Sequence, residues 1–233
     1  MVVRGVVFFD VDGTLVPSSS GQHLAGLLGH ADVVREAEAG YAAGTLSNTD
    51  VSVLDARGWA GRTSAEVRAF LESLPLVGGI TDTVGWCRRH GLMPVLATLA
   101  WEPVGAYLCE RFGFDRACGP RLEMTGGRYS GAVAEHVDEL GKRDFAGKVA
   151  GELGVDLTRC AAVGDSRSDL PLFAEVGFAV AFNATPAARA AAHASADGND
   201  LRAVLPLLAG WLDTQAPVTE FRQARSRRTP DRS

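Results

Sequence analysis

Asp10 and Asp12 close an apolar run, Val6-Val7-Phe8-Phe9, and are followed at once by Gly13-Thr14-Leu15. In an extended chain residues i and i+2 point to the same side, so the two carboxylates can enter one pocket. An Asp-rich turn closing an ordinary strand has the same appearance, so the pair gains meaning from what else the chain offers. Thr98, Lys142 and the Gly164-Asp165 pair with Asp169 fall at the expected ends of further strands or just after them. Singly, each has an ordinary role: a hydroxyl capping a helix, a solvated lysine, an acid at a helix start. Gathered on one sheet edge, they are the parts that phosphoryl transfer needs. A phosphate monoester dianion repels nucleophiles, and a magnesium ion held by Asp10, Asp12 (through its backbone carbonyl) and Asp165 would neutralise it. Asp10 would then attack phosphorus, and Asp12 would protonate the leaving alkoxide and deprotonate water. Thr98 and Lys142 would hold the equatorial oxygens, with Asp169 orienting Lys142 or a water from behind.

The elements around these residues predict an α/β fold. The run Val6–Phe9 reads as a fully buried strand, and Met93–Ala97, Arg159–Val163 and Phe178–Phe182 read as others. Helices are expected from Ile80 through Arg89, from Glu102 to Arg111, from Arg143 to Leu153, from Ser168 through Glu175, from Pro186 to Ala194 and from Asp200 to Leu212. Arg121 to Val133, around Gly126-Gly127, reads as a hairpin. Strand–helix alternation of this kind argues for a mostly parallel, doubly wound sheet, which places ligands outside the carboxyl ends of its strands. Between Gln22 and Leu74 the pattern is helical throughout. Asn48-Thr49-Asp50 marks one helix start there, and Thr63-Ser64-Ala65-Glu66 marks another. The expected organisation is a core of residues 1–16 and 77–213, an inserted helical unit of residues 17–76, and a disordered Arg-rich tail of residues 214–233.

The chain has 233 residues, of which 46% are hydrophobic and 22% charged, enough for a full core with a smaller insertion. A net charge of −5 argues against nucleic acid as a partner. Cys87, Cys109, Cys118 and Cys160 have neither CxxC nor metal-ligand spacing and read as reduced thiols of a cytoplasmic protein. No apolar run approaches the ~20 residues of a membrane helix, and no signal-peptide pattern precedes Asp10. A membrane is therefore not an expected partner; a small phosphorylated metabolite is.

The sequence resembles the haloacid dehalogenase superfamily, and is most similar to its phosphoserine-phosphatase-like branch. The resemblance rests on Asp10-Val11-Asp12-Gly13-Thr14 for DxDGT, Val95-Leu96-Ala97-Thr98 for an apolar strand ending in Ser or Thr, Lys142 (Lys148 being the fallback), and Gly164-Asp165-Ser166-Arg167-Ser168-Asp169. It implies a Rossmann-like core with a helical cap inserted after the first motif. It also implies a Mg-dependent phosphatase working through an aspartyl-phosphate. A phosphotransferase, or a binding protein that has lost turnover, would carry the same motifs. In phosphoserine phosphatases an acid shortly after the first motif pairs with the substrate ammonium. Ser19 occupies that place here, and an uncharged hydroxyl cannot neutralise an ammonium. Leu99 replaces a small residue after Thr98 and is expected to narrow the pocket mouth.

Specificity is expected from the cap, with Ser19, Gln22, His23, Arg57, Trp59 and Arg62 as candidates. Arg57 or Arg62 would bind a second anion on the substrate or form surface ion pairs. Trp59 would stack on a substrate ring or fill the core of the cap.

Overall fold

The computed structural model describes residues 3–215. The chain opens with β1 (Gly5–Phe9) and continues through four helices, α1 (Ser20–Leu28), α2 (Ala31–Ala42), α3 (Asn48–Ala56) and α4 (Ser64–Leu71). Next come α5 (Ile80–Arg89), β2 (Leu92–Leu96), α6 (Glu102–Phe112) and a hairpin of β3 (Arg121–Thr125) and β4 (Arg128–Glu135). The remainder is α7 (Glu139–Glu152), β5 (Ala161–Gly164), α8 (Leu170–Phe173), β6 (Phe178–Phe182), α9 (Pro186–Ala191), β7 (Ala194–Ala196) and α10 (Leu205–Thr214).

Five strands form one parallel sheet in the order β2-β1-β5-β6-β7. Alternation along β1 divides the core in two. Val7 and Phe9 pack on one face with Val84 of α5, Leu108 of α6 and Leu208 of α10. Val6 and Phe8 pack on the other with Val149 of α7, Leu172 of α8 and Ala188 of α9. Both faces are covered, which is why the strands read as continuous apolar runs. The chain order reverses at β1, which lies between β2 and β5, so the carboxyl ends of these three strands form the crevice expected of a doubly wound sheet.

The segment between residues 17 and 76 is helical, as its pattern predicts, and contains no strand. Thr63 and Glu66 form the reciprocal capping box foreseen for α4. The third helix is capped by Ser47, one residue before the expected start, with Asp50 completing the box. An unforeseen link ties this segment to the sheet side of the molecule. The Gly61 amide donates to the Tyr129 carbonyl and the Tyr129 amide to the Arg62 carbonyl, both at 2.9 Å, so β4 is stitched to the end of the helical insertion.

Three expectations need correction. α7 begins at Glu139 rather than Arg143, because Asp138 caps it by accepting from the Gly141 amide; this brings Lys142 into the helix. The helix expected from Ser168 through Glu175 is a 3-10 turn over Arg167–Asp169 followed by the short α8. The helix expected to reach Ala194 ends at Ala191, and Ala194–Ala196 instead forms the edge strand β7 against β6, where tertiary pairing outweighs alanine's local preference. The Arg-rich stretch beyond Gln215 lies outside the described residues.

Candidate active site

Three adjacent strands deliver the functional groups. Asp10 follows β1, with its amide bonded to the Val163 carbonyl, and the Ala97 amide bonds the Phe9 carbonyl. Asp10, Thr98 and Asp165 therefore stand at the ends of β1, β2 and β5. The extended chain does not persist beyond Asp10. The Leu15 and Val16 amides both return to the Val11 carbonyl, closing a tight loop through Gly13, whose φ is +79°. A side chain at Gly13 would overlap the Asp165 carboxylate, so the glycine is required both by its left-handed backbone and by the close approach of that acid. Asp12 is held by the Ser20 amide, 2.7 Å from its Oδ1, and still opens onto the same cavity as Asp10.

Lys142 is fully buried, with its Nζ 3.0 Å from Asp10 Oδ2 and 2.5 Å from Asp169 Oδ1. The other Asp169 oxygen accepts from the Asp165 and Ser166 amides at 2.9 and 3.1 Å. Asp169 thus fixes both the lysine and the loop that carries Asp165. Lys148, six positions further along α7, is exposed and takes no part. Thr98 is fully buried, and its hydroxyl accepts from the Ala100 amide at 3.0 Å.

Burial dominates the electrostatics. It raises the Asp10 carboxyl above the usual range, against the pull of Lys142. It pushes Asp12 up to about 7, with the Ser20 hydrogen bonding only partly opposing it. Asp165 is raised most of the three, by burial and then by the charges of Asp10 and Asp169. Burial alone would lower Lys142, but its two carboxylate partners outweigh that and hold it protonated. Oxygens of Asp10, Asp165 and Asp169 lie within 4.8 Å of one another, and Asp165 Oδ1 is buried without a hydrogen-bond partner. An all-oxygen donor set of closely spaced carboxylates fits a hard divalent cation such as magnesium.

A family model described as haloacid dehalogenase-like hydrolase matches residues 7–174, from within β1 to just beyond α8. The chain belongs to the haloacid dehalogenase-like hydrolase family. A phosphoserine phosphatase of Streptomyces coelicolor is 31% identical over 217 residues, covering 87% of this chain and 50% of that protein. SerB2, a phosphoserine phosphatase of Mycobacterium tuberculosis, is 28% identical over 206 residues, covering 88% and 50%. The chain spans about half the length of these two curated relatives. A phosphoserine phosphatase of Methanocaldococcus jannaschii, 25% identical over 208 residues, is matched over 87% of this chain and 96% of its own. Among solved structures, a phosphoserine phosphatase carrying a phospho-aspartyl intermediate analogue superposes with a TM-score of 0.79 at 23% identity, covering 88% and 98%. The hydrolase t0658 of Salmonella enterica serovar Typhi superposes at 0.80 with 18% identity, covering 87% and 70%. These superpositions show that the fold is shared.

In this haloacid dehalogenase-like chain the carboxylates face a cavity of about 630 Å³ between the sheet edge and the helical insertion. Ser19 and Gln22 line it, and so does Leu99. Arg57, Trp59 and Arg62 do not, which corrects their assignment to specificity. Arg57 is exposed at the end of α3 and outside the cavity. Arg62 points to Glu66, 3.7 Å away on the first turns of α4. Trp59 is fully buried, edge-on to Trp101 at 6.0 Å and to Tyr129 at 5.4 Å, and joins the insertion to α6 and β4 through an aromatic cluster. His23 meets the Ser73 hydroxyl, away from the cavity.

The cavity also brings in residues that sequence reasoning missed. Glu38, on α2, accepts from the Ser19 hydroxyl at 2.5 Å and from the Gln22 amide group at 2.6 Å. Arg167 reaches from the β5–α8 loop to the Tyr41 carbonyl at 2.7 Å, lies 4.2 Å from that ring's centre, and pairs with Glu139 at 3.3 Å. Asp55 is buried, accepting from His30 at 2.7 Å, Trp59 at 3.2 Å and Trp101 at 2.6 Å. Glu38 lies far along the chain from Ser19, and no motif linked them; an acid on the inward stripe of a helix of the insertion was the one available signal.

Proposed function

We propose that this chain hydrolyses the phosphate monoester of a small metabolite through an aspartyl-phosphate on Asp10. The observation that carries this reading is the pairing of two unlike carboxylates on one cavity. Asp10 is fixed 3.0 Å from the Lys142 ammonium, while Asp12 opens onto the same cavity with its carboxyl pushed up to about 7 by burial. A nucleophile must be ionised, and an acid/base catalyst works best with its pKa near the working pH. Asp10 meets the first condition and Asp12 the second.

The steps follow from these positions. An Asp10 oxygen attacks phosphorus as the ester P–O bond breaks, and the departing alkoxide takes the Asp12 proton. A water molecule then gives its proton to Asp12 and attacks phosphorus, and the Asp10–phosphorus bond breaks to release inorganic phosphate. Lys142 and the Thr98 hydroxyl bind the equatorial oxygens, where preformed positive charge stabilises the transition state. Magnesium, held by Asp10, Asp165 and the Asp12 carbonyl, would supply charge neutralisation for the dianion. Residues 17–76 form the cap and exclude bulk water, over a core of residues 1–16 and 77–213. The phosphoserine phosphatase relatives, the four free cysteines and the lack of any described helix long and apolar enough to cross a membrane fit a cytoplasmic enzyme acting on a soluble metabolite.

The test is phosphate release from p-nitrophenyl phosphate, with magnesium or with EDTA, by the wild type and by Asp10→Asn. Magnesium-dependent turnover that the substitution lowers by a thousandfold or more is expected. An active Asp10→Asn protein refutes the nucleophile. A wild type that is silent alone but transfers phosphate to an added alcohol is a phosphotransferase. One silent under all conditions is a binding protein.

A further inference from the structure

We infer that the ester this site accepts is the phosphate of a small amino alcohol, with a cationic nitrogen against Glu38 and no carboxylate. The inference rests on the phosphatase reading above and adds the chemistry of the leaving group.

Three observations on the cap side of the cavity carry it. First, Glu38 is half-buried and fixed: Ser19 holds one oxygen and Gln22 the other. A carboxylate has about four acceptor positions, so two neutral donors leave it both ionic charge and acceptor capacity to spend on a ligand. Neither donor supplies a positive charge, and burial makes an uncompensated carboxylate there costly. A cationic ligand removes that cost.

Second, the buried Ser20 hydroxyl lines the same space and interacts there with the Asp12 carboxylate. Its amide binds Asp12, so this hydroxyl lies beside the acid/base group, close to where the ester oxygen departs. A hydroxyl that donates to a carboxylate keeps lone pairs that can accept from a ligand ammonium.

Third, nothing on the wall is free to receive a second anion. Arg167 is the one cation among the described residues that line the cavity, and its charge is already matched by Glu139. Arg57 and Arg62 lie outside. A carboxylate on the leaving group would enter a space that already holds Glu38 and Asp55. The rest of that wall is largely apolar, with Val51, Ala42, Leu99 and Pro120. It would accommodate the carbon body of an amino alcohol.

The experiment compares kcat/KM for 2-aminoethyl phosphate, 2-hydroxyethyl phosphate and O-phosphoserine, with p-nitrophenyl phosphate as the common reference. These esters differ by one change each: ammonium to hydroxyl, and hydrogen to carboxylate. A charge-assisted hydrogen bond predicts that 2-aminoethyl phosphate exceeds each of the other two roughly ten- to a hundredfold. Glu38→Gln should bring the ratio of aminoethyl to hydroxyethyl ester close to one. If O-phosphoserine or the hydroxyethyl ester is turned over as well as the aminoethyl ester while p-nitrophenyl phosphate is hydrolysed, the inference is overturned and the phosphatase reading stands. Calorimetry with 2-aminoethylphosphonate and 2-hydroxyethylphosphonate gives a result independent of turnover. Tenfold tighter binding of the amine supports the inference even for an enzyme inactive on every ester, and equal binding overturns it.

Discussion

Replacing Lys142 with methionine keeps the unbranched stem in its buried channel and removes the charge. In the wild type that charge lies 3.0 Å from Asp10 and 2.5 Å from Asp169, with no solvent contact. Removing one partner of a buried ionic cluster leaves the others desolvated and unpaired, which costs about 3–5 kcal/mol. For a chain of this size that is a fall of roughly 6–20 °C in Tm. The loss should depend on pH with a defined sign. Asp10 is already raised by burial against the opposing pull of Lys142, so in Lys142→Met its folded pKa rises further above the unfolded value. Between those two values the folded state binds a proton that the unfolded state releases, so the variant gains stability as pH falls. The deficit relative to wild type is therefore largest near pH 8 and smaller near pH 5. Urea denaturation at both pH values in EDTA measures it, with the exposed Lys148→Met, expected to change stability by no more than about 0.5 kcal/mol, as the control. A loss below about 1 kcal/mol that is equal at pH 5 and pH 8 would refute the idea that Lys142 compensates these carboxylates.

Two further outcomes are expected. Gly13→Ala should abolish magnesium-dependent phosphate release by driving a methyl into the Asp165 carboxylate, while far-UV circular dichroism keeps the wild-type spectrum; retained activity would mean the loop has room to move. Trp59→Ala should cost about 3–5 kcal/mol in urea denaturation, because it empties the aromatic centre shared with Trp101 and Tyr129, and a loss under 1 kcal/mol would place that ring outside the core.

What could be read from the sequence was what depends on short range. The Val6–Phe9 run, the Asp10–Thr14 loop and the Gly164–Asp169 loop announce strand ends because a parallel sheet buried on both faces leaves apolar runs that stop abruptly at functional turns. The Thr63–Glu66 capping box is equally local. Lys142 was recognisable by its place in the order of motifs, yet its helix began earlier than expected, because a cap at Asp138 reads like any loop aspartate. β7 was hidden because three small residues, Ala194, Ser195 and Ala196, carry no strand pattern until β6 offers an edge to pair with. The cavity wall was least legible. Arg57, Arg62 and Trp59 are the kinds of residue that bind ligands, but a helix has two faces, and only packing decides which one meets the pocket. Glu38 was invisible for the same reason: it answers Ser19 across a helix–helix contact that no spacing records.

Asp55 has a consequence of another kind. Its carboxylate belongs to the helical insertion, and it receives the indole N–H of Trp101, which stands at the start of α6 on the sheet side. Of the four tryptophans, Trp101 is the one whose ring nitrogen bonds across that boundary. Separating the two parts breaks this bond and exposes the indole to water, which shifts its emission to longer wavelength. The protein therefore carries an intrinsic optical probe at the seam between the helical insertion and the sheet side, and any separation of the two is readable by stopped-flow fluorescence without any attached dye.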